Sequence, residues 1–504
     1  MLSPTLDSSP ATGSWRKRLS SKRLLLALLA VCIVRLWFML LTGSFWTDET
    51  GTAFVVRLAG DASLEAAPQV PMSIYYALPR AAEKLFGFSE ISYRIPSVLL
   101  MGIAFFFIAR ITARLIDPDA AWFSVFVCFA ITDFNYFAVD ARPYALGICL
   151  TAASIYFLIR WLDTARWIYG FVFLLPAALL WRDQLVFWAF YPVFPIYTVV
   201  RLLRRSTKVG WLSALVIYCL LIAVLLPVVF QALHLLQTAG AHVIFTVPGL
   251  RSFIHFLSWK PFAWGVGFAL LSVLWLKWPR NRVPGFESGV MIGLWWLWMP
   301  ACLWVWSNLS GTSLFVPRYF SIALPGAALV AIALVALYLP RELWKPAAAV
   351  MALLALVTTG HWSVMWPHHS PDDWRDAASA EHRLATEPDT PVVAISPFIE
   401  AQPPVWTPDY YLPGFLYAPL FVYPLRGTVY PFPFFISREG EEWGEKLIRD
   451  TLLRRPRFIV YGGGRLALRW AEWFASQPEL AGWSYQINRA DAINTVLFER
   501  PRGH

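Results

Sequence analysis

The run Leu24-Leu25-Leu26-Ala27-Leu28-Leu29-Ala30-Val31-Cys32-Ile33-Val34-Arg35-Leu36-Trp37-Phe38-Met39-Leu40-Leu41 decides the fold class, and Trp46-Thr47-Asp48-Glu49 follows it closely. About 20 apolar residues in a helix cross the hydrocarbon layer of a bilayer, so this run reads as a membrane span over 24–43. Arg16, Lys17, Arg18, Lys22 and Arg23 precede it. Basic flanks stay on the cytoplasmic side, and no small-residue cleavage site is evident, so the segment reads as an uncleaved first helix with a cytoplasmic N-terminus. Two adjacent carboxylates then stand at the opposite membrane boundary, where charge is costly to desolvate.

The rest of the 504-residue chain agrees with a bilayer as its principal solvent. It is 58% hydrophobic and 15% charged, with 27 Trp, whereas a soluble domain carries about a quarter charged residues. This excludes an ordinary cytosolic enzyme and a disordered protein. The net charge of +10 fits cytoplasmic loops and anionic headgroups. No basic run is interleaved with aromatics outside a membrane flank, so nucleic acid is not an expected partner. Cys32, Cys128, Cys149, Cys219 and Cys302 lie in apolar stretches and read as small core residues, not as a metal site or disulfide framework.

About eleven transmembrane helices are expected, near 24–43, 95–116, 120–138, 143–161, 167–182, 185–200, 211–233, 261–278, 286–307, 319–339 and 346–362. The fifth and sixth leave little room for a turn at Trp181-Arg182-Asp183-Gln184. With eleven spans, the groups Arg201/Arg204/Arg205/Lys208, Lys277/Arg280/Arg282 and Arg341/Lys345 fall on the N-terminal side. The C-terminal part is then extracytoplasmic. The expected organisation is a cytoplasmic tail over 1–23, a transmembrane domain over 24–362 with a first outer loop at 44–94, and a small extracytoplasmic α/β domain over 363–504. Amphipathic interfacial helices suit 44–94, and a further outer connection spans 234–260 with His234, His242, His255, Arg251 and Lys260. In the tail, strands are expected at Val392–Ile395, Phe458–Tyr461 and Thr495–Phe498. A helix is expected to start at Pro371-Asp372-Asp373-Trp374-Arg375, with Pro near its first turn, further helices at about 441–453 and 464–477, and an irregular aromatic segment over 400–436. Gly462-Gly463-Gly464 reads as a strand-to-helix turn, since it lacks the residues of a phosphate-binding loop.

Ionisable residues gather at the outer boundary. Asp48 and Glu49 invite a functional reading, and suit as well solvated loop acids or acids opening a helix and matched to its dipole; if they open a helix, neighbouring side chains diverge by about 100°, so only one can face a shared site directly and the other would orient it, hold a metal or face solvent. Asp140-Ala141-Arg142-Pro143-Tyr144 and Arg318-Tyr319 offer guanidinium forks for a phosphate, or interfacial ion pairs. Arg35 reads as shielded within the bundle or snorkelling, and Asp133 as structural or cavity-lining. His361, His368, His369, Asp372 and Asp373 match no standard zinc spacing. Asn308-Leu309-Ser310 has the form of a glycosylation acceptor.

Taken together, these residues resemble the GT-C glycosyltransferases, in particular the bacterial branch near the protein O-mannosyltransferase and aminoarabinose transferase families. The resemblance runs through Trp46-Thr47-Asp48-Glu49, Tyr75-Tyr76, Lys84-Leu85-Phe86-Gly87, Arg94-Ile95-Pro96-Ser97, Ala141-Arg142-Pro143-Tyr144-Ala145-Leu146 and Arg318-Tyr319-Phe320. It covers 1–340, and in the tail only Asp373-Trp374-Arg375. One departure stands out: Pro71-Met72-Ser73 replaces the His-Pro-Pro or Lys-Pro-Pro such proteins often carry, so a basic group near the donor phosphate is missing. Arg80 or Lys84 is the expected substitute.

The resemblance implies sugar transfer from a polyprenyl-phosphate donor to a hydroxyl of a glycan, lipid or protein acceptor at the outer face of the plasma (inner) membrane, with inversion. Asp48 would be the base and Glu49 its assistant or orienter. Asp140, Arg142, Tyr144, Arg318, Tyr319, Tyr75, Tyr76, Arg80 and Lys84 would bind the donor. Some relatives hold a divalent metal, magnesium or manganese, for which Asp48 and Asp140 are the pair to test; no metal ligand is assigned from the sequence. The competing expectation is a transporter or flippase of lipid-linked saccharides. Transporters tend to place ionisable groups near the midplane, whereas here they sit mainly at one face.

Overall fold

The computed structural model describes residues 12–67, 70–236, 247–257, 267 and 285–501. Expectations on 261–278, Lys277, Arg280, Arg282, His242 and Lys260 fall outside the described residues. The helices, in chain order, are α1 (Thr12–Leu36), α2 (Thr47–Arg57), α3 (Ala77–Phe86), α4 (Glu90–Leu115), α5 (Ala121–Ala130), α6 (Thr132–Ala138), α7 (Tyr144–Thr164), α8 (Trp167–Asp183), α9 (Val193–Leu203), α10 (Trp211–Leu236), α11 (Leu250–Phe256), α12 (Phe286–Ser310), α13 (Leu324–Tyr338), α14 (Trp344–Thr359), α15 (Trp374–Leu384), α16 (Ala418–Val422), α17 (Arg438–Asp450) and α18 (Gly464–Ala475).

Among the described residues, eight helical stretches are long and apolar enough to cross a membrane, or nine if the bent pair α5–α6 counts as one. The expected eleven are therefore not reached there. One expected span lies outside the described residues, and α8 has only 17 residues. The tight turn after α8 is made by Gln184 alone in extended conformation (φ −150°) before a 3-10 stretch leads into α9. The expected continuous span over 120–138 is instead broken at Ile131, where α5 and α6 meet at 80°. A broken helix in lipid leaves backbone groups to be satisfied. Here Asn135 Nδ2 donates to the Phe129 carbonyl at 2.7 Å and its Oδ1 accepts from Trp37 Nε1, just past α1, at 3.1 Å. Asp133 is exposed on the first turn of α6.

Arg35 in α1 is buried and neither snorkels nor meets a carboxylate. Its guanidinium donates to the carbonyls of Gly360, His361, Val364 and Met365 at 2.6–2.9 Å and lies 4.8 Å from the Trp362 ring. It thus satisfies carbonyls of the C-cap Gly360 and of the turn that follows α14, which no helix ladder pairs. That fixes where the chain leaves the membrane region.

After α14 the chain builds a sheet of β1 (Pro391–Ile395), β2 (Thr428–Phe432), β3 (Arg457–Gly463), β4 (Ser484–Ala490) and β5 (Ile493–Glu499) in the order β2-β1-β3-β5-β4. β1 is parallel to β2 and β3, and β5 runs antiparallel to β3 and β4. Alternation along β3 sorts its side chains between two layers. Phe458 and Val460 pack with Leu447, Trp470 and Phe474 under α17 and α18, while Ile459 and Tyr461 pack with Trp374 and Ala377 of α15. Two strands correct the expectation. β2 lies inside the segment read as irregular, and β4 is exposed along most of its length, so it offers no apolar run to read.

The aromatics of 398–423 pack onto α2. Phe54 meets Phe415 and Phe421 edge-on at 6.0 and 5.4 Å, and Gly51 leaves room for Phe398 and Phe415 at 3.5 Å from where a Cβ would stand. Tyr423 hydroxyl donates to Glu90 at 2.7 Å and accepts from the Phe45 amide at 2.9 Å. The α/β part therefore rests on the segment that carries Asp48.

Candidate functional site

α2 begins at Thr47, so Asp48 and Glu49 sit in its first turn, where carboxylates are favoured by the helix dipole. Their side chains diverge and meet opposite environments. Glu49 turns inward and is completely buried. Arg94 of α4 grips it with Nε at 2.8 Å and Nη2 at 2.5 Å. The Ala141 amide at 2.8 Å and the Trp46 amide at 3.2 Å take its remaining lone pairs. Burial alone pushes the Glu49 carboxyl up, but the Arg94 guanidinium outweighs it and holds the group below the ordinary glutamate range. Arg94 also donates to the carbonyls of Leu40, Leu41, Gly43 and Ser44, so this buried pair ties the end of the first span to the start of α2.

Asp48 turns towards solvent, with its side chain 18% exposed. Arg318 Nη1 reaches its Oδ2 at 2.8 Å, and Arg142 Nη2 stands 3.8 Å from the same oxygen. Arg142 Nη1 also approaches the Asp48 carbonyl at 3.4 Å. Tyr144 and Tyr319 lie within electrostatic reach of Arg318. Burial raises the Tyr76 phenol, whose charged neighbours are Arg142, Asp48 and Asp183. Several buried polar atoms around this cluster make no hydrogen bond: Arg142 Nε, Arg318 Nε, the Tyr144 hydroxyl, both Asp183 oxygens and Gln184 Oε1. Buried polar groups are normally paired, so this concentration of unpaired ones sets the cluster apart from the packed core.

Asp140 lies behind that cluster, fully buried. Its Oδ1 accepts from Trp46 Nε1 at 3.0 Å, His369 Nε2 stands 3.7 Å away, and Oδ2 has no partner. Burial pushes its carboxyl above the ordinary aspartate range, against the pull of His369. Tyr75 is buried too, bonded to Ser97 Oγ at 3.1 Å, and Ser97 holds the Asp140 carbonyl at 2.6 Å. The chain beyond α14 completes the shell: Asp372 Oδ2 accepts from Thr47 Oγ1 at 2.9 Å and Thr47 N at 3.4 Å, capping α2.

Arg80 and Lys84 are not brought to Asp48. Arg80 donates to the Val56 carbonyl at 3.2 Å and Lys84 is exposed on α3. Where the missing basic residue was expected, Ser73 instead faces the Asp183 carboxyl. Asp48 faces two guanidiniums and Asp140 a Trp N–H. The described donors that do converge are Glu49, Asp140 and His369, within 4.8 Å of one another. With every lone pair of Glu49 taken, this trio does not fit a divalent ion without displacing Arg94.

Sequence reading named Asp48, Arg142, Tyr144, Tyr76, Arg318 and Tyr319, which the fold assembles. It left Asp183 and Gln184 as turn residues and His369 and Asp372 as an unresolved cluster. An acid at membrane depth was the available signal for Asp183.

Comparison with known proteins adds to this geometry. Residues 69–230 match the family described as dolichyl-phosphate-mannose-protein mannosyltransferase. No curated protein sequence matches. The crystal structure of ArnT from Cupriavidus metallidurans in the apo state superposes with a TM-score of 0.56 at 14% identity, over 95% of this chain and 98% of that one. The same protein bound to undecaprenyl phosphate gives 0.53 at 14% identity, over 94% and 97%. The family match is confined to 69–230, and the likeness to the solved structures shows that this chain shares the ArnT fold along nearly its whole length.

Proposed function

We propose that the protein transfers a sugar from a polyprenyl-phosphate donor to an acceptor hydroxyl on a glycan, lipid or protein. Transfer takes place at the outer face of the plasma membrane and inverts the anomeric centre. The observation that carries this reading is a half-buried Asp48 carboxylate set between Arg142 and Arg318 beside buried polar atoms without partners. The likeness to a protein that binds undecaprenyl phosphate supports it.

In this reading the donor phosphate draws the two guanidiniums from Asp48 to its own oxygens. Asp48 is then free to accept the proton of the acceptor hydroxyl as that oxygen attacks C1. The bond from C1 to the phosphate oxygen breaks on the opposite face, and the lipid leaves as a phosphate monoester. Its growing negative charge is met by Arg142 and Arg318, a contribution of about 3–4 kcal/mol per well-placed donor. Glu49 touches no substrate; it positions Asp48 through Arg94 and the start of α2. In this reading Asp183 and Gln184, whose buried oxygens make no hydrogen bond, take the sugar hydroxyls, so Asp183→Asn alters which sugar-bearing donor is used while leaving capture of bare undecaprenyl phosphate intact.

The test is release of free polyprenyl phosphate by the purified protein in nanodiscs, given a panel of polyprenyl-phosphate sugars and a membrane extract as acceptor source. Turnover that needs acceptor and persists in a chelator is expected, since guanidiniums supply the positive charge. Donor movement between leaflets without any release identifies a transporter and refutes the reading.

A further inference from the structure

At the far ends of α4 and α7 lies a second charged feature with no part in the transfer described above. α4 has Arg94 near its start and Arg114 in its last turn, and its 26 residues span about 39 Å. α7 likewise starts beside Arg142 and carries Asp163 in its last turn. At that opposite end a cavity of about 400 Å³ is lined by Arg114, Asp163, Arg201, Arg205, Lys208 and the hydroxyls of Ser206 and Thr207.

Four cations face one carboxylate there, and the carboxylate is spoken for. Arg114 holds Asp163 through Nε at 2.6 Å and Nη2 at 3.0 Å, and Arg201 Nη2 adds 3.0 Å. Arg201 is otherwise engaged by Tyr197 and by Ser206 Oγ. Arg205 and Lys208 are exposed and make no side-chain ion pair among the described residues. The backbone presents them deliberately: Arg205 adopts φ +51°, and the following turn is pinned to α7 by Thr207 Oγ1 at 2.7 Å and the Lys208 amide at 3.0 Å, both on the Leu162 carbonyl.

A neighbouring cavity of about 630 Å³ shares Arg114, Arg201 and Ser206 and runs between helix ends to Ala336 and Trp344. Its acids are paired, Asp117 with Arg341 at 2.5 Å and Glu287 with Arg204 at 3.7 Å. Exposed Leu203, Trp211 and Leu212 flank the basic turn on both sides in the chain. A free anion has no use for such an apolar border, whereas a lipid does, with its phosphate among the cations and its chains along the helices.

We infer that this basin is a binding site for the phosphate of an anionic phospholipid headgroup, held by Arg205, Lys208 and Arg114 with Ser206 and Thr207 as hydroxyl donors. It lies at the membrane face opposite the Asp48 cluster and does not depend on the proposed transfer reaction.

The probes are phosphatidylglycerol, cardiolipin, phosphatidylcholine and inorganic phosphate, and the readout is native mass spectrometry of the full chain released from mixed nanodiscs. Wild type is expected to retain one anionic lipid in preference to phosphatidylcholine. Arg205→Gln/Lys208→Gln keeps the turn's polarity and removes two charges, which lowers that preference about thirty-fold. Arg166→Ala removes an exposed cation at the same face outside the cavity and is expected to change nothing. Equal loss in Arg166→Ala means general surface charge and overturns the site. Retention unchanged in the double variant also overturns it, as does inorganic phosphate displacing the lipid at millimolar concentration. A thermal melt of each variant in phosphatidylcholine separates misfolding from loss of lipid.

Discussion

The molecule contains the same motif twice, a carboxylate between two arginines, once at each end of α4 and α7. Asp163 accepts from Arg114 and Arg201 at 2.6–3.0 Å, and Arg201 has further partners. Asp48 meets Arg318 at 2.8 Å but Arg142 only at 3.8 Å, and both of those arginines keep a buried Nε without a partner. The Asp163 arrangement is saturated and holds helix ends together. The Asp48 one is under-satisfied, which costs stability and, in the proposed reaction, pre-arranges donors for the charge of the donor phosphate. The composition of a cluster therefore says less about its role than the hydrogen bonds it lacks.

The largest effect is expected at the residue beside Asp48. Glu49→Gln leaves Arg94 as an uncompensated charge with no exposed surface, and breaking such a pair costs about 3–5 kcal/mol; thermal or denaturant unfolding of the purified variant reads it directly. The same pair sets an acid limit for the wild type. Because the folded carboxyl is held below the ordinary glutamate value of about 4.3, its stabilisation is present above that value and lost as pH falls through the depressed one. A melting series in acid should show this loss in wild type and not in Glu49→Gln.

Arg142→Ala comes next and acts on rate. Losing one donor to the departing phosphate predicts a drop in turnover of about 10²–10³ with the protein still folded. If turnover survives at the wild-type level, the Asp48 cluster is no more functional than the Asp163 one. The smallest effect belongs to Asp163→Asn. Arg114 is half-exposed and screened while Arg201 and Asp163 are largely buried, so a stability change of about 1 kcal/mol is expected, with turnover unaltered. A large loss of turnover there would erase the distinction between the two ends.

How much of this could be read from the chain itself follows from the kind of signal each feature leaves. Long apolar runs flanked by arginines mark spans by composition alone, which is why α1, α4, α7, α10 and α12–α14 stand near their expected places. The break at Ile131 could not be read, because its cause is tertiary: Asn135 satisfies a freed carbonyl and is itself held by Trp37, just past α1. β4 escaped notice because exposed strand residues carry no apolar alternation. At the candidate site, Asp48 and Glu49 were legible as a pair, and divergence by about 100° implied that only one faces the site. Which one depended on Arg94, a partner from α4 whose place no local pattern gives. Asp372 and His369 come from more than 300 residues further along, and only folding shows that they reach α2.

The central claim is that Asp48 performs chemistry while its neighbour only positions it. It is tested most directly by Asp48→Asn, assayed for binding of polyprenyl-phosphate sugar and for release of polyprenyl phosphate on the same folded sample. The account predicts donor binding within a few-fold of wild type, a melting temperature unchanged or raised, and release reduced by about three orders of magnitude or more. Release at a rate near that of wild type would contradict it.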